Sequence, residues 1–271
     1  MIKRYSKISR IIVFVVIGVV FIVYISPFFW MLLSTFKTND QIYSFTPMII
    51  FKPTLDNYRI ILGSNLFRGS FLMTIGMTVS STLLTLLIGT MAGYVLSRFH
   101  YRAKKDIMLL ILFTRMIPPV VISIPILLMY VNIGLQDTFL GLLLVYANIN
   151  LAFSVWIMKG YFDNIPHSLE EAAMCDGYSR VQGFIRLVVP MVIPGILATA
   201  VFCGIFVWNE FLFASVLTWT KISLMVPKIA DRGVDSIGLT ITLLYSLPMI
   251  VFTFFIRKQL LRGVSFGILK F

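Results

Sequence analysis

Six long apolar stretches separated by shorter polar segments organise this chain. They cover residues 11–33, 71–97, 107–131, 139–158, 191–212 and 237–256. Each holds roughly 20 residues, enough for an α-helix to cross a ~30 Å hydrocarbon core. The runs are continuous rather than alternating, so they predict helices and not the strands of a membrane barrel. The first is too long for a removable signal peptide and lacks a small-residue cleavage site; it is expected to remain as an anchor. In the second, Gly76, Gly89 and Gly93 offer close approach to another helix. The third is interrupted by Pro118, Pro119 and Pro125, which predicts a bent helix. The expected fold is therefore an all-α membrane protein with six transmembrane helices. Residues 1–34 form an N-terminal segment and the first span, 35–70 a loop, and 71–271 a five-helix core. That core carries a patterned polar loop at 161–195 and a short tail.

Composition agrees with this pattern. The chain is 59% hydrophobic and 13% charged, about half the charged fraction of an average soluble domain. The net charge of +12 is distributed by side. Fifteen Lys and Arg residues flank one set of span ends and seven the other, with Arg115 inside a span. The basic side is expected to be cytoplasmic, which places both termini and the loop 161–195 there and the loops 35–70 and 218–236 outside. No basic run is interleaved with aromatics in a soluble segment, so nucleic acid is not an expected partner. Cys175 and Cys203 lie in different environments, one in the polar loop and one in a span, and His100 and His167 sit at no ligand spacing. Neither a disulfide framework nor a metal site is expected. No catalytic constellation of paired carboxylates or of His, Cys and Asp is visible, and no phosphate-binding GxxxxGK[ST] loop occurs, so the chain is not expected to bind ATP or to be an enzyme.

The polar loop carries the most information. Ser168 and Glu171 have capping-box spacing, as do Ser179 and Gln182. Gly177 between them suits the left-handed residue that ends a helix. Pro190 and Pro194 mark the return to the apolar span. The expected product is helix, glycine turn, helix. Leu169, Ala172 and Ala173 share one side of the first helix, and Val181, Phe184 and Leu187 one side of the second. Helices this short are marginal alone in water, so their apolar sides need cover. From the residues, that cover is either a partner protein or the inner membrane surface.

The run EAAMCDG at 171–177, followed by Phe184, Leu187 and Pro190, resembles the EAA motif of permease subunits of binding-protein-dependent ABC importers. The likeness extends to SPFFWMLLSTFK at 26–37, PTLDNY at 53–58, TRMIP at 114–118, WNEF at 208–211 and GVSFGILK at 263–270. These runs resemble the maltose-transporter-like carbohydrate permeases, specifically the six-span partner of a larger subunit. One departure is Tyr178, where the family usually places Ala. The resemblance implies that Glu170, Glu171, Ala172, Ala173, Asp176, Gly177, Phe184, Leu187 and Pro190 dock onto an ATPase. It implies a heterodimer with a second permease, two ATP-binding-cassette subunits carrying ATP and Mg, an external solute-binding protein and a carbohydrate substrate. It further implies a bacterial inner membrane setting, with the 262–271 tail along the ATPase interface. The competing class is a stand-alone channel or secondary transporter, which would need a coupling-ion site of its own.

Several residues remain open between two readings. Arg115 either lines the translocation path or makes a structural contact with Glu210 or the partner permease. Trp208, Asn209 and Glu210 suit a sugar, by ring stacking and hydroxyl binding, or an interfacial belt. Tyr146, Asn148, Asn150 and Ser154 either line a cavity or join helices, and Asn148 and Asn150 cannot share one face. Lys221, Lys228, Asp231 and Arg232 form either a binding-protein contact or a plain solvated loop.

Overall fold

The computed structural model describes residues 7–268, with side chains described for 11–254. The basic residues Lys3 and Arg4, and the side chains of the 262–271 tail expected at an ATPase interface, lie outside the described residues. Helices account for nearly every described segment: α1 (Lys7–Ser34), α2 (Asn39–Ile42), α3 (Asp56–Gly63), α4 (Asn65–Arg98), α5 (Lys104–Met116), α6 (Pro119–Ile133) and α7 (Phe139–Asp163). After α7 come α8 (His167–Cys175), α9 (Arg180–Gly183), a π-helical stretch at Phe184–Val188 and α10 (Val189–Met191). The chain closes with α11 (Ile193–Trp208), α12 (Leu212–Leu217), α13 (Met225–Arg232) and α14 (Ser236–Ile268).

Four helices are individually long and apolar enough to cross a membrane, over Ile11–Ser34, Asn65–Arg98, Phe139–Asp163 and Ser236–Phe254. Two further spans are bent pairs: Lys104–Met116 with Pro119–Ile133 at 96°, and Arg180–Met191 with Ile193–Trp208 at 72°. The expected six spans are thus present if each pair counts as one. Where α5 meets α6, each proline holds the residue before it out of the helical region. Ile117 and Pro118 are both extended, with ψ of 125° and 129°, and the helix breaks rather than curves. Pro125 was expected to interrupt the same span, but α6 runs through it. A single proline following a helical residue removes one backbone bond without forcing two consecutive extended residues.

Two compact units are present. One comprises the described part of Met1–Phe67 with Ile229–Pro248. Its centre is Asn57, whose amide donates to the carbonyls of Thr35 (2.8 Å) and Lys37 (3.0 Å) and accepts from the Ser236 hydroxyl (3.1 Å). Lys37 is buried, with its ammonium over the rings of Trp30 and Phe51. From Ile11 to Trp30 every residue of α1 except the half-buried Gly18 is exposed, as a lipid-facing helix requires, whereas Ser34 at its end is buried.

The other unit, Arg68–Lys228 with the described part of Met249–Phe271, holds a close approach of α4 to α7. A Cβ added at Gly93 would lie 2.9 Å from the Lys159 amide nitrogen and from the Met158 Cβ, and one at Gly89 would overlap the Ser154 side chain. Gly195 brings α11 equally close to the Tyr161 ring. Gly76 meets nothing, so of the three glycines expected to allow close approach only Gly89 and Gly93 do so. Replacing Gly93 with Leu is therefore expected to separate the two helices and to cost on the order of 1–3 kcal/mol. Gly76→Ala, with open space around it, should not lower stability and should raise it by up to about 1 kcal/mol through helix propensity. Thermal unfolding of the two purified variants in detergent distinguishes these outcomes.

Candidate functional site

The segment between α7 and α11 folds as helix, glycine turn, helix. The start of α8 differs from expectation. Pro166 occupies the cap position and makes no side-chain cap, so Ser168 lies inside the first turn and no Ser168–Glu171 capping box forms. The reason is local: Pro166 fixes the entry backbone one residue before His167, ahead of the serine. The end of α8 is as expected. Gly177 has φ of +89°. Its amide donates to the Met174 carbonyl (3.1 Å) and that of Tyr178 to the Ala173 carbonyl (3.1 Å), the paired bonds of a Schellman stop. The departure at Tyr178 thus falls at the second of these donors, where its backbone serves as well as that of Ala. Ser179 and Gln182 then form a complete capping box, with bonds of 2.9 and 3.3 Å.

The residues predicted to dock divide into two groups. Glu171, Ala172, Asp176, Gly177 and Pro190 are exposed, as are the apolar side chains of Leu169, Val181 and Ile185. Ala173 and Leu187 are half-buried. Phe184 turns inward, 4.4 Å from the Tyr94 ring centroid and 6.2 Å from that of Phe162. It joins an apolar cluster with Met158, Ile165, Val188 and Val192. Glu170 also turns inward. Its carboxylate forms an ion pair with Arg98 and accepts from the Tyr94 hydroxyl (2.7 Å). Arg98 donates in addition to the Phe162 carbonyl (3.0 Å), while Ser97 donates to Asp163 (2.7 Å), which also holds Lys159 (2.6 Å). Sequence reasoning counted Arg98 and Lys159 only as orientation charges and did not single out Tyr94 or Asp163. The partners of Arg98 and Tyr94 lie more than 60 residues away, so no local pattern marks them.

At the other end of α7, Glu210 accepts from the Tyr146 hydroxyl (2.8 Å) and from the amides of Phe213 (2.9 Å) and Ala214 (3.1 Å), capping α12. Tyr146 and Asn150 are buried among the helices, and Asn150 donates to the Tyr146 carbonyl (3.0 Å). Asn148 faces outward, so the two asparagines do take different faces. Asn209 is exposed and donates to Ile205. With Glu210, Phe206, Phe211 and Pro119 it lines a cleft of about 480 Å³. Trp208, a candidate sugar platform, is instead buried edge-on against Phe71. Arg115 does not meet Glu210. It donates to the Ile149 carbonyl (3.3 Å) and lies 5.9 and 5.6 Å from the ring centroids of Phe153 and Phe206. Among the described residues no group of three or more His, Cys, Asp or Glu side chains converges as a metal site.

Of the predicted binding-protein contacts, Lys221 is exposed and Lys228 half-buried, burial pushing its ammonium pKa down. Asp231 and Arg232 are exposed, and Arg232 pairs with Asp235 at 3.5 Å. The residue that organises the loop beside Lys221 went unnoticed in the sequence. Asp137, at φ of 52°, accepts from the amides of Trp219, Thr220, Lys221 and Ile222 at 2.9–3.1 Å and from the Thr220 hydroxyl. Burial would raise its pKa, but the four backbone donors outweigh that and hold the carboxyl well below the usual carboxylate range.

Among the described residues the chain is helical, with two bent spans and a helix–turn–helix segment between α7 and α11. Residues 85–265 match the family described as the binding-protein-dependent transport system inner membrane component, and the chain belongs to that family. A probable ABC transporter permease, y4oR of Sinorhizobium fredii, is 33% identical over 92% of this chain and 91% of its own. The trehalose transport system permease SugB of Mycobacterium tuberculosis is 30% identical over 80% of this chain and 82% of its own. A solved bacterial ABC transporter that imports the acidic polysaccharide alginate shares the fold, with a TM-score of 0.81 at 24% identity, over 94% of this chain and 98% of that one.

The Asp137 clamp has a testable pH dependence. Its carboxyl has a depressed pKa, so its contribution is fully present above the ordinary value of about 3.9 and is lost only as pH falls through the lower folded value. Limited proteolysis at 218–224 should therefore be constant from neutral pH down to about 4. Asp137→Ala should open the loop at every pH, at a cost on the order of 2 kcal/mol. A cleavage rate unchanged by the substitution would rule the clamp out.

Proposed function

We propose that this chain is one permease half of an ATP-driven importer that passes a carbohydrate from an external binding protein into the cytoplasm. The observation that carries the reading is the exposed face of α8 and α9. A rigidly capped helix–turn–helix presents Glu171, Ala172, Gly177, Val181 and Ile185 outward with nothing covering them among the described residues, beside an inward side already packed. Membership of a binding-protein-dependent transport family favours a protein occupant over the membrane surface. The basic side chains flanking this loop support a cytoplasmic position for it and for both termini, in a bacterial inner membrane.

In this reading a second permease completes the pathway. Two ATP-binding-cassette subunits bind ATP and Mg and close around them, and this chain contributes no catalytic residue of its own. Closure moves the α8–α9 element, and the cavity alternates between two states whose populations the partners shift. A carbohydrate substrate is supported by the name of SugB, a trehalose system permease, and by the cleft at Asn209 and Glu210, where three phenylalanines stand beside an amide and a carboxylate. Among the path candidates, Arg115, Asn148, Asn209 and Glu210 are the ones with exposed or half-exposed side chains. Lys221, Lys228, Asp231 and Arg232 are the proposed binding-protein contacts.

Substitution at the turn tests the docking role. Gly177 needs a positive φ, which Asn tolerates and a β-branched residue does not. Gly177→Val and Glu171→Ala should each abolish sugar-stimulated ATP hydrolysis in the assembled complex while the permease still inserts in the membrane. Gly177→Asn should retain most of it. Normal stimulation in both Gly177→Val and Glu171→Ala would remove the docking assignment.

A further inference from the structure

Adjacent carboxylates on α8 face opposite ways. Glu171 is exposed, whereas the Glu170 side chain is 13% exposed and meets Arg98, itself 5% exposed. No residue of α8 is buried, so the helix has no apolar key of its own in the protein body. Its inward hold is the Glu170 carboxylate, bound by Arg98 from the end of α4 and by the Tyr94 hydroxyl one turn earlier. The same guanidinium reaches the last turn of α7 through the Phe162 carbonyl, and Ser97 beside it binds Asp163. One carboxylate thus ties α8 to the ends of two spans.

Such a pair is a poor choice for stability alone. Desolvating both charges costs about what their attraction returns, and well-packed apolar residues would do as well. Arg98 even leaves its second terminal nitrogen, Nη2, buried without an acceptor among the described residues. What a buried ion pair supplies that a greasy contact does not is direction. It resists sliding, and separating it exposes two charges to a low-dielectric interior.

We propose that Glu170, Arg98 and Tyr94 form a latch that transmits movement of α8 to α4 and α7, and that Glu170 is a positioning residue and not part of the surface that meets the ATPase. The proposal rests on the docking reading above and assigns the step after it. Contact is made by the outer face through Glu171, and force enters the spans by the inner face through Glu170. Arg98→Lys is not equivalent, because a single ammonium cannot serve Glu170 and the Phe162 carbonyl as the planar guanidinium does.

The experiment uses the whole importer in proteoliposomes with its binding protein and measures three quantities: ATPase subunits retained per permease, ATP hydrolysed, and sugar imported. Arg98→Gln and Glu170→Gln should retain the ATPase subunits yet lower sugar imported per ATP by about two- to thirtyfold. The exchange Arg98→Glu with Glu170→Arg should recover part of that loss, a recovery that mere loss of packing would not show. Glu171→Ala should instead lose ATPase subunits. Wild-type yield per ATP in the two single variants would overturn the latch while leaving docking intact. Loss of ATPase subunits from Glu170→Gln, as from Glu171→Ala, would also overturn it by returning Glu170 to the docking surface. A wild-type permease that retains no ATPase would overturn both readings. If the two single variants fail to accumulate, Tyr94→Phe decides, since it removes one hydroxyl and keeps the ion pair. A yield lowered about twofold supports the latch, and an unchanged yield overturns it.

Discussion

The contact between α4 and α7 is made through backbone, and everything at the α8 end of these helices depends on it. At Gly89 and Gly93 there is no room for a Cβ. In a lipid solvent, where apolar side chains gain little by leaving the acyl chains, such small-residue contacts are what van der Waals association uses. Because the helices touch there, one turn further on Ser97 reaches Asp163 and Arg98 reaches the Phe162 carbonyl. Tyr94 and Phe162 stand 5.5 Å apart, and Phe184 fits between them and the returning chain. A wider spacing would leave Arg98 short of α7 and Glu170 without its partner. The polar network is therefore a consequence of two missing methyl groups several residues away.

The other end of α7 is built on carboxylates that satisfy backbone donors. Asp137 gathers four successive amides of the segment after α12, and Glu210 caps α12 itself while holding the Tyr146 hydroxyl. Both arrangements fold a loop against the helix ends by meeting N–H groups that would otherwise be orphaned. The loop carrying Lys221 and Trp219 is consequently shaped by a residue more than 80 positions earlier in the chain. The two ends of α7 differ in kind, since one fixes a loop by meeting its backbone amides and the other ties helices together through buried charge.

What was legible in the sequence follows the range of each interaction. The six spans were visible because hydrocarbon thickness acts on every residue of a helix. The glycine stop at 177 and the Ser179–Gln182 box were visible because capping joins residues three to five apart. The Ser168–Glu171 box has the same spacing and did not form, since Pro166 set the helix start two residues too early for it. The 96° break was expected only as a bend. Its sharpness comes from two consecutive prolines restraining two consecutive residues, whereas Pro125 alone did not interrupt α6. Glu170 belonged by motif with its neighbour, and Arg98 and Tyr94, 72 and 76 positions away, draw it inward. Arg115 found aromatic rings and a carbonyl instead of Glu210 for the same reason: nothing local marks a partner chosen by helix packing.

The break in the α5–α6 span constrains what can lie beside it. The two pieces, of 13 and 15 residues, rise about 20 and 22 Å along their axes, and neither alone crosses a ~30 Å core. A non-helical backbone at that depth is tolerated only against protein or water. Two adjacent prolines lower the demand, because they bring no N–H to satisfy, and Pro118 offers its carbonyl to the Val121 amide at 2.9 Å. Yet Phe113, Met116, Ile117, Val120 and Val121 around the break are all exposed in this chain, and so is Arg115. A charged side chain beside an open backbone turn cannot rest against acyl chains at this depth without large cost. This surface therefore suits packing against protein or an aqueous path and not against acyl chains.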